Sequence, residues 1–108
     1  MDFKDYQDKA QSTAIYPYEH KILYPALGLA GEAGEVANIV KKSIRDKDGL
    51  WSPEDRNAVA KELGDVLWYV AMVAADLNLD LDEIASGNIK KLLDRKNRGK
   101  LKGSGDDR

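Results

Sequence analysis

The sequence contains no cysteine and a single histidine among its 108 residues. Without thiols, disulfides, thiolate nucleophiles and cysteine-ligated zinc are all excluded. Because His20 is the only imidazole, a site with several histidine ligands is impossible, and a Ser-His-Asp triad would have to use this residue. Any metal site in this chain therefore depends on oxygen ligands.

An excess of one charge and a long apolar run are also missing. The 17 Lys and Arg residues balance 19 Asp and Glu, which gives a net charge of −2 and no basis for nucleic-acid binding through phosphate neutralisation. The longest nearly uninterrupted apolar run, residues 66–75, is about half of a membrane span, and residues 1–9 do not resemble a signal peptide. We expect a cytoplasmic protein without nucleic-acid or membrane partners.

Hydrophobic spacing predicts an all-α fold of about four helices, because no segment has the alternation of a strand. Asp2, Ser52 and Asp80 are candidate N-caps, and Pro53 suits a first helical position. We predict one domain over residues 1–108 that ends in an irregular tail from about residue 97, with helices at residues 2–14, 26–45, 53–77 and 80–96.

The third predicted helix is apolar over more than one face. A surface helix needs an apolar stripe about 100° wide, and this helix exceeds that width. A chain this short has a limited core, so a second copy could supply the other burying surface. We expect a homodimer or homotetramer; a central helix inside a monomeric bundle is the alternative.

Two acidic couplets lie where their helices carry the least charge. Glu32 and Glu35 form one couplet and Glu62 and Asp65 the other, each with i, i+3 spacing, so both acids of a couplet point the same way. Antiparallel packing of the two helices across a short connection would bring all four acids together. The alternative is a solvated face on which these acids pair with lysines at positions 41, 42 and 61.

Four carboxylates in one small space require neutralisation. Like charges a few ångströms apart raise each other's pKa, and desolvation raises it further. An all-oxygen ligand set favours hard ions, Mg²⁺ or Mn²⁺, over zinc or copper. We therefore predict a divalent metal site at these acids.

Glycines are unusually frequent beside the acids. Gly28, Gly31 and Gly34 lie inside the second helix and Gly64 inside the third, where each costs about 1 kcal/mol relative to alanine. This pattern suggests a close approach of helix to helix or of helix to ligand at these positions.

The acidic couplets resemble a family signature. Glu-x-x-Glu, 26 intervening residues and Glu-x-x-Asp are similar to the metal-binding pattern of MazG-type all-α nucleoside triphosphate pyrophosphohydrolases. The family usually has a further Glu where Gly31 stands, although its dCTP pyrophosphatase branch carries Gly-Glu-x-Gly-Glu. Residues 63–69, an Asn-x-x-Lys-x-x-x-Arg pattern at 88–95, and the tail also resemble this family, so the likeness covers about the whole chain.

The resemblance implies a reaction and a set of ligands. Members convert a (d)NTP and water to a (d)NMP and pyrophosphate with Mg²⁺, for which Mn²⁺ can substitute, through attack of a metal-activated water. By this resemblance Glu32, Glu35, Glu62 and Asp65 are both the metal ligands and the catalytic residues.

The fourth helix offers candidate phosphate contacts. Asn88, Lys91 and Arg95 share one face, where lysine supplies a point charge and arginine a planar fork of donors. The alternative is a solvated basic helix end favoured by the helix dipole.

Candidate contacts to the nucleobase are fewer. Tyr69 lies one helical turn beyond Asp65 on the same face, so we expect its ring beside the metal site. Gln7 on the first helix is a candidate for reading a base edge.

Two other functions remain open on the sequence. The chain could be a non-catalytic helical oligomerisation or adaptor module whose acids form structural salt bridges. Alternatively, the same class of enzyme could act on an alarmone such as ppGpp.

Overall fold

Helices account for all of the regular secondary structure. The computed structural model describes all 108 residues, contains no strand and confirms the all-α prediction. A short 3₁₀ turn at Tyr18–His20 separates the first two helices. The four helices are α1 (Phe3–Gln11), α2 (Leu23–Lys47), α3 (Pro53–Asp76) and α4 (Leu81–Asn97).

The three predicted N-caps are confirmed. The Asp2 carboxylate accepts from the Asp5 N–H at 2.8 Å, and the Ser52 hydroxyl accepts from the Asp55 N–H at 3.1 Å. The Asp80 carboxylate caps α4 by accepting from the Asp82 N–H at 2.8 Å. Each cap satisfies an N–H group that the helix itself leaves unpaired.

Two helix ends differ from the prediction. α1 ends at Gln11 rather than near residue 14, because the Ser12 and Thr13 hydroxyls donate to carbonyls of the last turn. α2 begins at Leu23 rather than residue 26, with Pro25 inside its first turn. Proline is tolerated there because the first N–H groups of a helix have no partner within it.

α2 and α3 pack antiparallel as two long helices. Near their connection, Lys47 forms an ion pair with Asp55 at 2.8 Å. At the far end, the Asp76 carboxylate accepts from the Ile22 N–H at 2.9 Å. Contacts therefore run in opposite order along the two helices, as expected for a short connection. This packing fixes which side chains of α2 face those of α3.

α1 and α4 close one end of α3. The core comprises Ala10, Ala71, Met72 and Leu81, with Tyr6 and Trp68 among the residues packed around it. The indole N–H of Trp68 donates to the Thr13 hydroxyl at 2.9 Å, which ties α3 to the end of α1.

The chain is extended for its length. Its radius of gyration is 16.8 Å, whereas a compact domain of this size has a value of about 13 Å. Only nine of the 108 residues are buried. The long α2–α3 pair accordingly presents much of its surface to solvent. No helix combines the length and the apolar character needed to cross a bilayer.

The helical glycines differ in their surroundings. A Cβ atom at Gly28 would lie 2.2 Å from Cε1 of Tyr69, so the aromatic ring can occupy this position only because residue 28 has no side chain. Cβ atoms at Gly31, Gly34 and Gly64 would meet no atom within 4 Å. The expectation of close approach is confirmed between helices at Gly28. The other three lie on exposed helix surfaces and meet no other helix, so the approach of a ligand there stays a prediction.

We expect Gly28→Ala to lower the melting temperature, because the new methyl group must displace the rigid ring of Tyr69 or move α2. Overpacking of this kind typically costs about 1–3 kcal/mol. Gly87→Ala is the matched control: its Cβ meets nothing within 4 Å, and alanine improves helix propensity by up to about 1 kcal/mol. Thermal denaturation followed by circular dichroism measures both changes. Equal melting temperatures for the two variants would contradict the contact.

Candidate active site

Three carboxylates converge where α2 packs against α3. Glu32 comes from α2, and Glu62 and Asp65 come from successive turns of α3. One oxygen from each lies within 4.8 Å of the others. Glu32 and Glu62 are half-buried, whereas Asp65 is exposed. The expected meeting of the two couplets is thus present for these three acids.

Glu35 lies outside this group. Its side chain is exposed, although its charge still contributes to raising the pKa of Glu32. The oxygens of Glu35 do not belong to the three that lie within 4.8 Å of one another. Its role as a metal ligand stays a prediction.

The three clustered carboxylates have no cationic partner. None of the six ion pairs of the chain includes them, and Lys41, Lys42 and Lys61 form no ion pair. The alternative, in which these lysines pair with the acids and neutralise them, is therefore wrong for this structure. Like charge is concentrated here without compensation from the protein.

The pKa of one acid responds to this concentration of charge. The pKa of the Glu32 carboxyl is raised to about 6, chiefly through a hydrogen bond with Glu62. Desolvation and the charges of Glu62, Asp65 and Glu35 raise it further. A divalent cation would remove the same repulsion, and the oxygen-only donor set suits hard ions. The residues present fit a metal of this class.

Tyr69 forms an aromatic wall beside the acids. Its ring lies against Gly28, and it meets the Trp68 indole edge to face, with centroids 5.1 Å apart. Burial raises the pKa of the Tyr69 phenol, and Tyr24 and the charge of Glu32 raise it further. The ring thus lies close enough to the acidic cluster to respond to its charge.

Gln7 lies in the interior, beside the turn between α3 and α4. The side chain is 5% exposed. Its amide N–H group donates to the Leu79 carbonyl at 2.9 Å, and its oxygen accepts from the Leu81 N–H at 3.1 Å. These bonds satisfy the turn between α3 and α4. The expected role in reading a base edge is corrected to a structural one, because the amide is already engaged by the backbone.

The α4 candidates form a separate group. Asn88 is exposed, whereas Lys91 and Arg95 both contact Asp106 of the C-terminal tail. α4 packs on α1 and on α3, and it makes no comparable packing with α2. Within this chain the structure therefore does not join these side chains to the acids, and their role in phosphate binding stays a prediction.

Comparison with known proteins identifies the family of the chain. The family model of the MazG nucleotide pyrophosphohydrolase domain matches residues 20–99, which include the acidic cluster and α4. The chain belongs to this family. Membership makes it a nucleoside triphosphate pyrophosphohydrolase, as the resemblance of its acidic couplets implied.

Individual relatives of this MazG domain differ in coverage. The Gene 37 protein of Mycobacterium phage L5 is 48% identical over 109 residues, which cover 95% of this chain and 96% of the relative. Human dCTP pyrophosphatase 1 is 40% identical over 57 residues, or 51% of this chain and 34% of the relative, and the bovine protein is 37% identical over 59 residues. The chain thus spans about a third of the length of these dCTP pyrophosphatases. No solved structure matches the chain.

Two acids of the MazG domain were not singled out from the sequence. Asp76 accepts from the Tyr16 hydroxyl at 2.7 Å and from the Ile22 N–H, and so holds the entry of α2 against the end of α3. Asp106 binds Lys91 and Arg95 of α4. Both contacts join residues distant in the chain, so no local spacing indicates them.

The raised pKa of Glu32 has a consequence for stability. Its folded value of about 6 exceeds the ordinary value of 4.5, so the folded state binds this proton more tightly than the unfolded chain. Its contribution to stability is present below pH 4.5 and is lost as the pH rises through about 6.

In EDTA, we expect the melting temperature of the native chain to fall relative to that of Glu32→Gln between pH 4.5 and 6.5. The difference between the two proteins isolates Glu32, since all other groups titrate in both. Glu54→Gln, an exposed substitution in the first turn of α3, should keep the native pH profile. If the melting temperatures of the native chain and Glu32→Gln changed in parallel with pH, the crowding of carboxylates around Glu32 would be contradicted.

Proposed function

We propose that this MazG domain is an Mg²⁺-dependent pyrophosphohydrolase that converts a (d)NTP and water to a (d)NMP and pyrophosphate, with Mn²⁺ able to replace Mg²⁺. The observation that carries the proposal is the convergence of three carboxylate oxygens within 4.8 Å, without a cationic partner. In this proposal Glu32, Glu62 and Asp65 hold the metal, and Glu35 contributes from the edge of the cluster.

The proposed chemistry needs no covalent intermediate. When bound, a divalent cation lowers the pKa of water, polarises a phosphoryl oxygen and neutralises developing charge. Water attacks phosphorus, the bond between the α- and β-phosphates breaks, and pyrophosphate leaves. A carboxylate of the cluster accepts the proton of the attacking water. The only side chains that this metal-assisted chemistry needs are acids, which suits a chain without cysteine.

The remaining candidates orient the substrate in this proposal. The half-buried ring of Tyr69 beside the acids offers an apolar surface for the nucleobase or sugar. Asn88, Lys91 and Arg95 bind phosphate oxygens, the lysine as a point charge and the arginine through its planar donors. Because Lys91 and Arg95 pair with Asp106 rather than with the acids, a second copy or a movement of α4 would bring the two groups together.

Self-association is part of the proposal. Leu27 on α2 and Leu63 on α3 are 66% and 53% exposed, although both lie on the helix pair that carries the acids. The surface of 7909 Å² exceeds the roughly 6,000 Å² of a compact monomer of this mass. We propose a homodimer or homotetramer that buries this apolar surface.

The reaction is tested by measuring pyrophosphate release from nucleoside triphosphates, dCTP included, and from ppGpp, each with Mg²⁺ or Mn²⁺. Glu62→Gln should lower turnover at least about 100-fold, because even residues that only orient a metal ligand cost about 10- to 100-fold. The variant should also lose the rise in melting temperature that Mg²⁺ produces by binding the folded state. Glu54→Gln, on the same helix, is the control.

Near-native turnover in Glu62→Gln would contradict the ligand set. Release from ppGpp alone would change the substrate to an alarmone. No release from any compound, with melting that ignores metal, would instead favour a non-catalytic adaptor.

The assembly is tested by light scattering coupled to size-exclusion chromatography. We expect a mass of two or four times the 12.0 kDa of one chain. Leu63→Glu should lower that mass, because a carboxylate would be buried in the interface. Ile15→Glu, at a position 97% exposed outside the helices, should leave it unchanged. A mass of 12.0 kDa for the native chain at micromolar concentration would contradict self-association.

A further inference from the structure

The C-terminal tail folds back onto the basic face of α4. The Asp106 carboxylate lies 2.7 Å from Nζ of Lys91 and 3.4 Å from a terminal guanidinium nitrogen of Arg95. Arg95 also donates to the Asp106 main-chain carbonyl. The two cations hold the pKa of the Asp106 carboxyl below its usual range. One aspartate thus engages both of the basic side chains proposed to bind phosphate.

The tail holds this position through its own contacts. The Arg108 guanidinium donates to the carbonyls of Lys100, Leu101 and Gly105 at 2.8–3.2 Å, which closes the segment into a loop. Gly103, with φ of +111°, supplies a backbone conformation that other residues rarely adopt. The closed loop is a defined structure even though it contains no helix or strand.

Arg95 is buried where it meets the tail. Its side chain is only 6% exposed, whereas the Asp106 carboxylate that it contacts is 77% exposed. Arginine donors that match a phosphate also match a carboxylate, so Asp106 presents the same kind of oxygen as the proposed substrate. The ion pair of Asp106 with Lys91 is exposed on both sides, at 77% and 38%, and such a pair contributes little to stability, so a more highly charged anion can replace Asp106 there.

We propose that residues 100–108 form an exchangeable anionic latch on Lys91 and Arg95, which a polyphosphate chain displaces. The proposal rests on the assignment of these two residues to phosphate binding under the proposed function. In the latched state Asp106 occupies the donors, so a polyphosphate binds only to the fraction of molecules in which the tail has opened. Displacement exposes Arg95 and frees the tail.

Nuclear magnetic resonance with inorganic tripolyphosphate tests the exchange without any hydrolysis. Titration of the native chain in EDTA should shift the Arg95 side-chain resonance. It should also lower the backbone ¹⁵N heteronuclear NOE of residues 100–108, because the released tail moves on the nanosecond timescale. An Arg95 shift with an unchanged tail NOE would overturn the latch, as would the absence of any Arg95 shift.

Calorimetric binding of tripolyphosphate to three variants tests the competition. Asp106→Asn should bind roughly two- to fivefold more tightly than Asp107→Asn, which makes the same change of charge at a tail residue without an ion pair. Gly103→Ala, which strains the closed loop and keeps Asp106, should also bind more tightly than the native chain.

Equal affinities for Asp106→Asn and Asp107→Asn would overturn the latch, because a general change of charge would then explain both. Weaker binding in Asp106→Asn would also overturn it and make Asp106 a positioning residue. Failure of the proposed function is seen separately, as an absence of pyrophosphate release, and does not alter these binding measurements.

Discussion

The antiparallel packing of α2 against α3 is the constraint on which the site depends. It places Gly28 under the ring of Tyr69, and one turn further along it places Glu32 opposite Glu62 and Asp65. A bulkier residue at position 28 would separate the helices where the ring passes between them. The register of one helix pair therefore decides both the aromatic wall and the grouping of the acids.

This register places like charges together, and their repulsion opposes folding of the chain when no cation is bound. Three carboxylates share a space without a lysine or arginine, and the pKa of Glu32 rises to about 6 in response. Such crowding is typical of a functional site rather than of a fold optimised for stability, because burial of uncompensated charge opposes folding. A divalent cation among these oxygens would relieve the repulsion that the carboxylates impose on one another.

The basic residues of α4 show the opposite arrangement. Lys91 and Arg95 share the carboxylate of Asp106, whereas no cation of the chain pairs with the acidic cluster. The two faces belong to different parts of the fold, and the extended α2–α3 pair leaves apolar surface on which further copies can assemble.

The sequence by itself determined the helices, three N-caps and the pairing of the acids into couplets, because capping, i, i+3 spacing and hydrophobic periodicity are local properties. Family resemblance added the reaction class. Only the tertiary structure decided that Glu35 stands apart, that Gln7 serves the backbone, that only Gly28 among the four glycines marks a close contact, and that Asp106 covers Arg95. Each of these depends on a rotation about a helix axis or on a contact between residues far apart in the chain, and no local pattern encodes either.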